Sequence, residues 1–218
     1  MPKQGTSFFD KLAKLPLLAE VGEWMPRTVS AGACQEVIYR GDDASLDLLP
    51  ILTTWPEDGG PYITFGMSHT KNKQTGHRNT GLYRLQKKDS HRLGFHTQLH
   101  HDGARNRHGY DQNEKMPVAV TLGGDPSLLF AASAPLPPFL SEMMFAGFLR
   151  REGVEMVKCI TQDLEVPADS EIVIEGYVNP GEKEAEGPFG DHTGYYSLAD
   201  QYPVIHVTAI TMKRNPIY

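Results

Sequence analysis

Cysteine is nearly missing from this sequence: Cys34 and Cys159 are the only two in 218 residues. They form no CxxC pair to hold zinc or run thiol exchange, so a reducing cytoplasm is the expected location. An excess of basic charge is missing too. Lys and Arg number 21 against 27 Asp and Glu, a formal charge of -6. A nucleic-acid partner, which needs concentrated cations, is therefore not expected, although a local basic pocket stays open. No apolar run approaches the about 20 residues needed to span a bilayer. LPLLAEV, residues 15–21, follows Lys3, Lys11 and Lys14 as a signal peptide would, but it is short and interrupted by Pro16 and Glu20. There is no GxGxxG unit for a dinucleotide, no internal repeat and no low-complexity tract. The remainder is ordinary globular composition, 39% hydrophobic and 22% charged, in a chain long enough for one well-filled core or two small ones.

Most of what is present has β character. Phe8, Phe9, Leu12 and Leu15 recur at helical spacing behind Ser7, a candidate N-cap, and Pro16 closes the pattern, which predicts a short amphipathic helix. Residues 20–35 read as a linker. Then come short runs bounded by Gly, Pro and Asp: EVIY (36–39), PYITFGMSHT (61–70), and two alternating segments around the polar turn KKDSHR (87–92), which predict a hairpin. PVAVTLGG (117–124) is a further strand. Asp125 and Pro126 cap and start a helix through SLLFAASA. Ser141 caps SEMMFAGFLRR, in which Met144, Phe145, Phe148 and Leu149 are expected to form the buried face. VEMVKCI, EIVIEGYV and YPVIHVTAITMK follow as strands, the last two joined by a loop. Seven or so strands that follow one another without alternating strictly with three helices predict a largely antiparallel α+β domain.

Strand alternation sets Leu82, Arg84 and Gln86 on one face and Tyr83 and Leu85 on the other, while His96, Gln98 and His100 share a face of the return strand. If that face meets Arg84, the hairpin offers a charged, imidazole-rich floor. HTQLH (96–100) has HxxxH spacing. Thr97 stands where HExxH carries its Glu, and the segment reads as strand, so a zinc peptidase is not indicated and His96, His100 and His101 can equally be half-buried sheet residues. Glu142 reads first as a helix-start acid favoured by the macrodipole. In EAEGPFGDHTGYYS (184–197) the Gly-Pro turn can bring Glu186 and Asp191 together. Two close carboxylates cannot both ionise easily unless a cation such as Arg84 lies between them, and such a trio could position and deliver a proton. A solvated acidic loop with Asp191 capping a turn is the other reading, and spacing alone leaves both open.

EGPFGDHTGYYS, together with NTGLYR, FHTQLHHDGAR, SEMMFAGFLR and VKCITQDLEVPADSEIVIEGY, resembles the UbiD family of decarboxylases, which use prenylated FMN. The likeness runs in order from about residue 34 to the end. It is closest to the branch acting on 4-hydroxy-3-polyprenylbenzoate in ubiquinone biosynthesis. The resemblance implies a split β-barrel, flavin reductase-like FMN-binding core with flanking helices over residues 34–218, behind an N-terminal helix and linker at 1–33. It implies a carboxy-lyase for an aromatic or α,β-unsaturated acid, with prenylated FMN as covalent electron sink. The catalytic positions fall on Arg84, Glu186 and Asp191, with Arg84 holding the substrate carboxylate, Asp191 donating the proton and Glu186 tuning Arg84. One carboxyl group is expected to keep its proton through a raised pKa. The cofactor would be lined by Leu82, Tyr83, Arg84, His96, Thr97, Gln98, His101 and Asp102. Manganese(II) would be held by Asn79, His96 and Glu142, with potassium a candidate second ion. The implied partners are a carboxylic acid substrate, a flavin prenyltransferase supplying the cofactor, and a second copy or a separately encoded domain, since UbiD enzymes continue beyond the strand VIHVTAITMK. A flavin- and metal-binding module that is inactive without its partner, or a flavin reductase-like protein, is the alternative.

Overall fold

The β-branched runs of the sequence pair mainly with one another, as their half-buried alternation favours. A computed structural model describes residues 21–97, 110–111, 113–137 and 140–218. Along these residues the chain forms strands β1 (Arg27–Val29), β2 (Val37–Arg40), β3 (Tyr62–Ile63), β4 (Met67–Lys71), β5 (Arg78–Leu82), β6 (Leu85–Lys87), β7 (Arg92–Phe95) and β8 (Met116–Leu122). Helices α1 (Pro126–Ser133) and α2 (Glu142–Arg150) follow. Strands β9 (Glu155–Lys158), β10 (Glu165–Pro167), β11 (Ile172–Glu186), β12 (Phe189–Gly190), β13 (Tyr196–Ser197) and β14 (Asp200–Met212) complete the order.

The main sheet runs β3-β6-β7-β14-β11-β8-β4-β5, with β2 also on β14, and curls into a half-barrel. Its pairings are antiparallel, as expected for the α+β class; β1 on β9, in a separate three-stranded sheet with β10, is parallel. Leu85, Leu93, Phe95, Val118, Val120, Ile172, Ile174, Ile205 and Ile210 fill the space inside the curl. Met67, Leu128, Ala131, Met143, Ala146 and Met156 form a second cluster where the helices pack. No helix among the described residues is long and apolar enough to cross a membrane.

Both helix starts follow their sequence signals. Asp125 accepts a hydrogen bond from the Ser127 N–H at 2.8 Å, and Ser141 accepts one from the Met144 N–H at 3.1 Å. The expected buried face of α2 is corrected. Met143, Ala146 and Gly147 face inward, while Phe148 and Leu149 are 46% and 42% exposed. A Cβ on Gly147 would stand 2.1 Å from the Trp24 carbonyl oxygen, so the helix docks through Gly147 on a passing backbone; Met143 is buried and Phe145, as expected, packs partly against the second cluster, while Phe148 and Leu149 turn outward. The Trp24 ring then meets Phe148 edge-on at 4.9 Å.

Three further differences matter for the site. The first arm of the predicted hairpin is two strands: β5 pairs with β4, and only β6 pairs with β7, in the register Leu85↔Phe95, Gln86↔Gly94 and Lys87↔Leu93. The chain turns between them at Tyr83 and Arg84. The acidic stretch begins on a strand, because register shifts after Glu175 and after Val178 let β11 run on to pair Glu184 with Tyr202 and Glu186 with Asp200. The stretch read as a linker contributes β1, held by its register against β9, and a buried Cys34. The predicted helix at residues 8–15 lies outside the described residues.

Candidate active site

Sheet order brings the polar groups together. Arg84 immediately precedes β6, His96 immediately follows β7, and Glu186 ends β11; since β6, β7, β14 and β11 are successive neighbours, the three side chains converge at one end of the sheet. Glu186 is fully buried. Its Oε1 accepts from Arg84 Nε at 2.9 Å, and its Oε2 accepts from Arg84 Nη2 at 3.1 Å and meets His96 Nδ1 at 2.9 Å. The same Arg84 Nη2 donates to Ser197 Oγ at 3.1 Å, and the guanidinium lies 4.6 Å from the centre of the Phe189 ring. The His96 ring packs against Tyr202 at 4.1 Å.

These contacts decide the charge of the acids. Burial raises the pKa of Glu186, but hydrogen bonds from His96 and Arg84 and the charge of Arg84 more than offset it, leaving about 2. Asp191 is also held below the usual carboxylate range, by the peptide N–H of His192, then by its ring, whose Nδ1 is 2.8 Å from Asp191 Oδ1. The expectation of a carboxyl kept protonated is therefore corrected for this arrangement. The acids do not share a proton, because each has its own donors. Burial pushes the nearby Tyr62 hydroxyl well above its ordinary value, with Glu186 adding to the effect.

Arg84, His96, Phe189 and Asp191 line a cavity of about 270 Å³ whose other walls are Thr64, Leu82 and Tyr83. Of the residues expected to line the cofactor, Leu82, Tyr83, Arg84 and His96 thus share one space. Thr97 follows with its N–H bonded to the Phe95 carbonyl at 2.9 Å and does not form part of this wall. Gln98, His101 and Asp102 lie outside the described residues.

The proposed metal ligands divide. Asn79 and Glu142 line a second cavity of about 60 Å³. Asn79 is buried with its amide nitrogen lacking a hydrogen-bond partner among the described residues, and Glu142 Oε2 accepts from the Thr80 N–H at 3.3 Å. Glu142 therefore does more than favour the start of α2: it reaches across to β5. His96, the third expected ligand, lines the larger cavity instead of this one, with Nδ1 on Glu186. His69, overlooked in the sequence, is on the wall beside Asn79. It is 4% exposed, with Nε2 2.9 Å from Thr121 Oγ1 and Nδ1 3.0 Å from Thr80 Oγ1, and burial drives its pKa to about 3, which keeps it neutral. Ser197 and Tyr202, which brace Arg84 and His96, were also missed; only the registers of β13 and β14 reveal them.

The family model described as the UbiD 3-octaprenyl-4-hydroxybenzoate carboxy-lyase Rift-related domain matches residues 27–218. The chain belongs to the UbiD family. It is 49% identical over 221 residues to an uncharacterised protein of Aquifex aeolicus, a match covering 100% of this chain and 45% of that one. Among solved structures it is similar to the UbiD-class enzyme HmfF from Pelotomaculum thermopropionicum in complex with FMN, at 38% identity and a TM-score of 0.85, over 93% of this chain and 46% of that one. Vanillic acid decarboxylase of Sedimentibacter hydroxybenzoicus is 31% identical with a TM-score of 0.86, over 98% and 47% of the two chains. The chain spans about half the length of the curated relatives it matches. UbiD-class neighbours bind FMN or prenylated FMN, and the curled antiparallel sheet described above is the fold they share.

Proposed function

We propose that this chain carries the cofactor-binding and acid-base part of a UbiD-class decarboxylase acting on an aromatic acid, with a hydroxybenzoate as the favoured substrate type. The observation that carries the reading is Arg84 held in bidentate contact by the buried Glu186 at a cavity that also presents Phe189 and Asp191. Family membership and neighbours named as decarboxylases of vanillic and 3,4-dihydroxybenzoic acids support the substrate class.

Arg84 orients the substrate carboxylate by charge and hydrogen bonding, and Glu186, fixed as an anion, keeps the guanidinium from rotating away. Prenylated FMN, when bound, supplies the electron sink for cleavage of the carbon–carbon bond. As carbon dioxide leaves, the carbon that carried it takes a proton from the Asp191 carboxyl, which returns to the anion. Asp191 must first gain that proton, and His192 opposes this while it is bonded to Oδ1; leaving His192 is the step that arms the acid. Asn79 and Glu142 would hold a divalent ion, manganese for preference, to neutralise the cofactor phosphate. Their oxygen donors suit it, and the unpartnered Asn79 NH₂, which can only donate, suits the anionic phosphate rather than the ion. Potassium, a flavin prenyltransferase as cofactor supplier, and a place in ubiquinone biosynthesis belong to the same proposal.

The half-length coverage favours a second reading, in which this part binds flavin and metal but turns over only with the remaining half of the protein, in the same chain, another copy or a separate subunit. Co-expression with a flavin prenyltransferase, with and without that half, tests both readings through the visible spectrum, metal content and carbon dioxide release from hydroxybenzoates. Release by the parent and its loss in Arg84→Ala and Asp191→Asn supports the decarboxylase. Bound flavin without release until the other half is supplied supports the second reading, and failure to bind flavin in either form overturns both.

A further inference from the structure

Asp191 sits just past β12, in a hairpin of two-residue strands, β12 and β13, that pairs with no other strand among the described residues. What holds this hairpin is the segment WPEDGGPY, residues 55–62, which the chemistry proposed above does not use. The Gly59 N–H donates to the Pro188 carbonyl at 2.8 Å, the Tyr62 hydroxyl donates to the same carbonyl at 3.2 Å, and the Glu57 N–H donates to the Tyr196 hydroxyl at 3.3 Å. The Tyr62 ring meets Phe189 edge-on at 4.8 Å. The fit leaves no room for side chains at the crossing: a Cβ on Gly59 would lie 2.2 Å from the Gly187 carbonyl oxygen, and one on Gly190 would lie 2.4 Å from the Trp55 ring. Gln86, buried on β6, ties the underside by donating to the Gly59 carbonyl at 2.7 Å and accepting from the Gly187 N–H at 3.3 Å.

At the centre is Asp58. Its Oδ2 accepts from the Trp55 N–H at 2.9 Å and its Oδ1 accepts from the Gly190 N–H at 2.7 Å. Among the described residues it has no ion-pair partner, so its charge acts on two peptide groups, one of them the residue immediately before Asp191. A charge-assisted bond to a peptide N–H is short, directional and about twice as strong as a neutral one. We propose that Asp58 is a positioning residue for Asp191: the carboxylate, anchored by its own turn, fixes the Gly190 peptide and thereby sets where the Asp191 carboxyl stands in the cavity. The role of Asp191 in this inference rests on the decarboxylase reading; the placement of the hairpin does not.

The two are tested separately. In amide hydrogen exchange, the Gly190 N–H of Asp58→Ala should exchange at least about tenfold faster than in the parent. The Asp191 N–H, bonded within the hairpin to the Tyr195 carbonyl at 3.1 Å, should change by less than about threefold. Where Asp58→Ala does not fold, Asp58→Asn carries the test: its carbonyl can still accept from Gly190 but its NH₂ cannot accept from Trp55, so the Trp55 N–H should exchange faster, the Gly190 N–H should accelerate less than in Asp58→Ala, and the Asp191 N–H should be unchanged. An unchanged Gly190, or equal acceleration of both amides, overturns positioning, since the aspartate would then be idle or merely holding the hairpin together. In the active holoenzyme, Asp58→Ala should lower kcat about 10- to 100-fold with KM nearly unchanged and raise the solvent deuterium isotope effect, with partial rescue in Asp58→Asn. A parent that binds flavin but never decarboxylates, even with the other half supplied, sinks the reaction, and the exchange result still decides for or against Asp58. A holoenzyme in which KM alone rises in both variants overturns the positioning of Asp191.

Discussion

Replacing Glu186 by glutamine keeps the side chain's size and removes its charge from a site where three donors converge on it. The lowering of its pKa from 4.5 to about 2 corresponds to about 3 kcal/mol of stability at neutral pH, within the range seen on breaking other buried ion pairs. Because the folded pKa is depressed, that contribution is fully present above about pH 4.5 and is lost as pH falls toward 2. Glutamine offers one acceptor to Arg84 and turns an NH₂ toward donors that have lost their partner. Urea unfolding of parent and Glu186→Gln at pH 7, 5.5, 4 and 3 should therefore give a gap of about 3 kcal/mol at the two higher values that narrows at the lower ones. The corresponding fall in Tm at pH 7 is about 6–12 °C. Other carboxylates titrate over the same range, but they do so in both proteins and cancel in the difference. A gap that is absent at pH 7, or that stays constant to pH 3, would refute the idea that Glu186 is an anion held by Arg84 and His96.

Other outcomes follow from the same geometry. In a holoenzyme that releases carbon dioxide, Asp191→Asn should slow turnover about 10²- to 10⁴-fold while flavin binding, read from the visible spectrum, is kept; undiminished turnover removes Asp191 as the acid. Arg84→Ala should raise KM for the acid as well as lower kcat, measured by the same release assay. Glu142→Gln and Asn79→Ala should each reduce manganese retained after dialysis by at least about tenfold, measured by elemental analysis, whereas His96→Ala should change it less because the ring stands in the other cavity. Gly147→Ala should destabilise the protein by about 1–3 kcal/mol in urea despite the better helix propensity of alanine, because the added methyl meets the Trp24 backbone; a stabilised variant would show that α2 is not docked there.

Much of this was legible in the chain. Alternation in EIVIEGYV and YPVIHVTAITMK marks the central strands, KKDSHR marks the β6–β7 turn, and Asp125 and Ser141 mark both helix starts, because these signals are local. Of the trio expected with Arg84 between Glu186 and Asp191, the structure shows the Arg84–Glu186 pair, across 102 positions of sequence, while the Asp191 carboxylate bonds to His192. What was not legible depends on contacts between distant backbones. α2 buries Ala146 and Gly147 and exposes Phe148, against hydrophobicity, because closeness to Trp24 outweighs side-chain area. Glu175 reads as an ordinary strand acid, yet it is fully buried and accepts from the Ile160 and Thr161 N–H groups at 2.7 and 2.6 Å. His96 carries the residue type of a metal ligand, and only the end of β7 tells that its Nδ1 faces an acid.

The connection from β11 to β14 leaves from Glu186 and comes back through Ser197, and one guanidinium grips both. A ring clasped at its base isolates its rim from it. The side chains of Thr193 and the 78%-exposed Tyr195 can be exchanged by drift or by design without loosening Arg84, whereas Gly194 between them, at φ +84°, is held to glycine, so the tip of the connection is free to vary in shape and polarity while the Arg84–Glu186 pair beneath it stays put. On the decarboxylase reading, diversity of accepted acids on a constant chemistry is what such a layout permits, and libraries confined to positions 193 and 195 are where a change of substrate should first be sought.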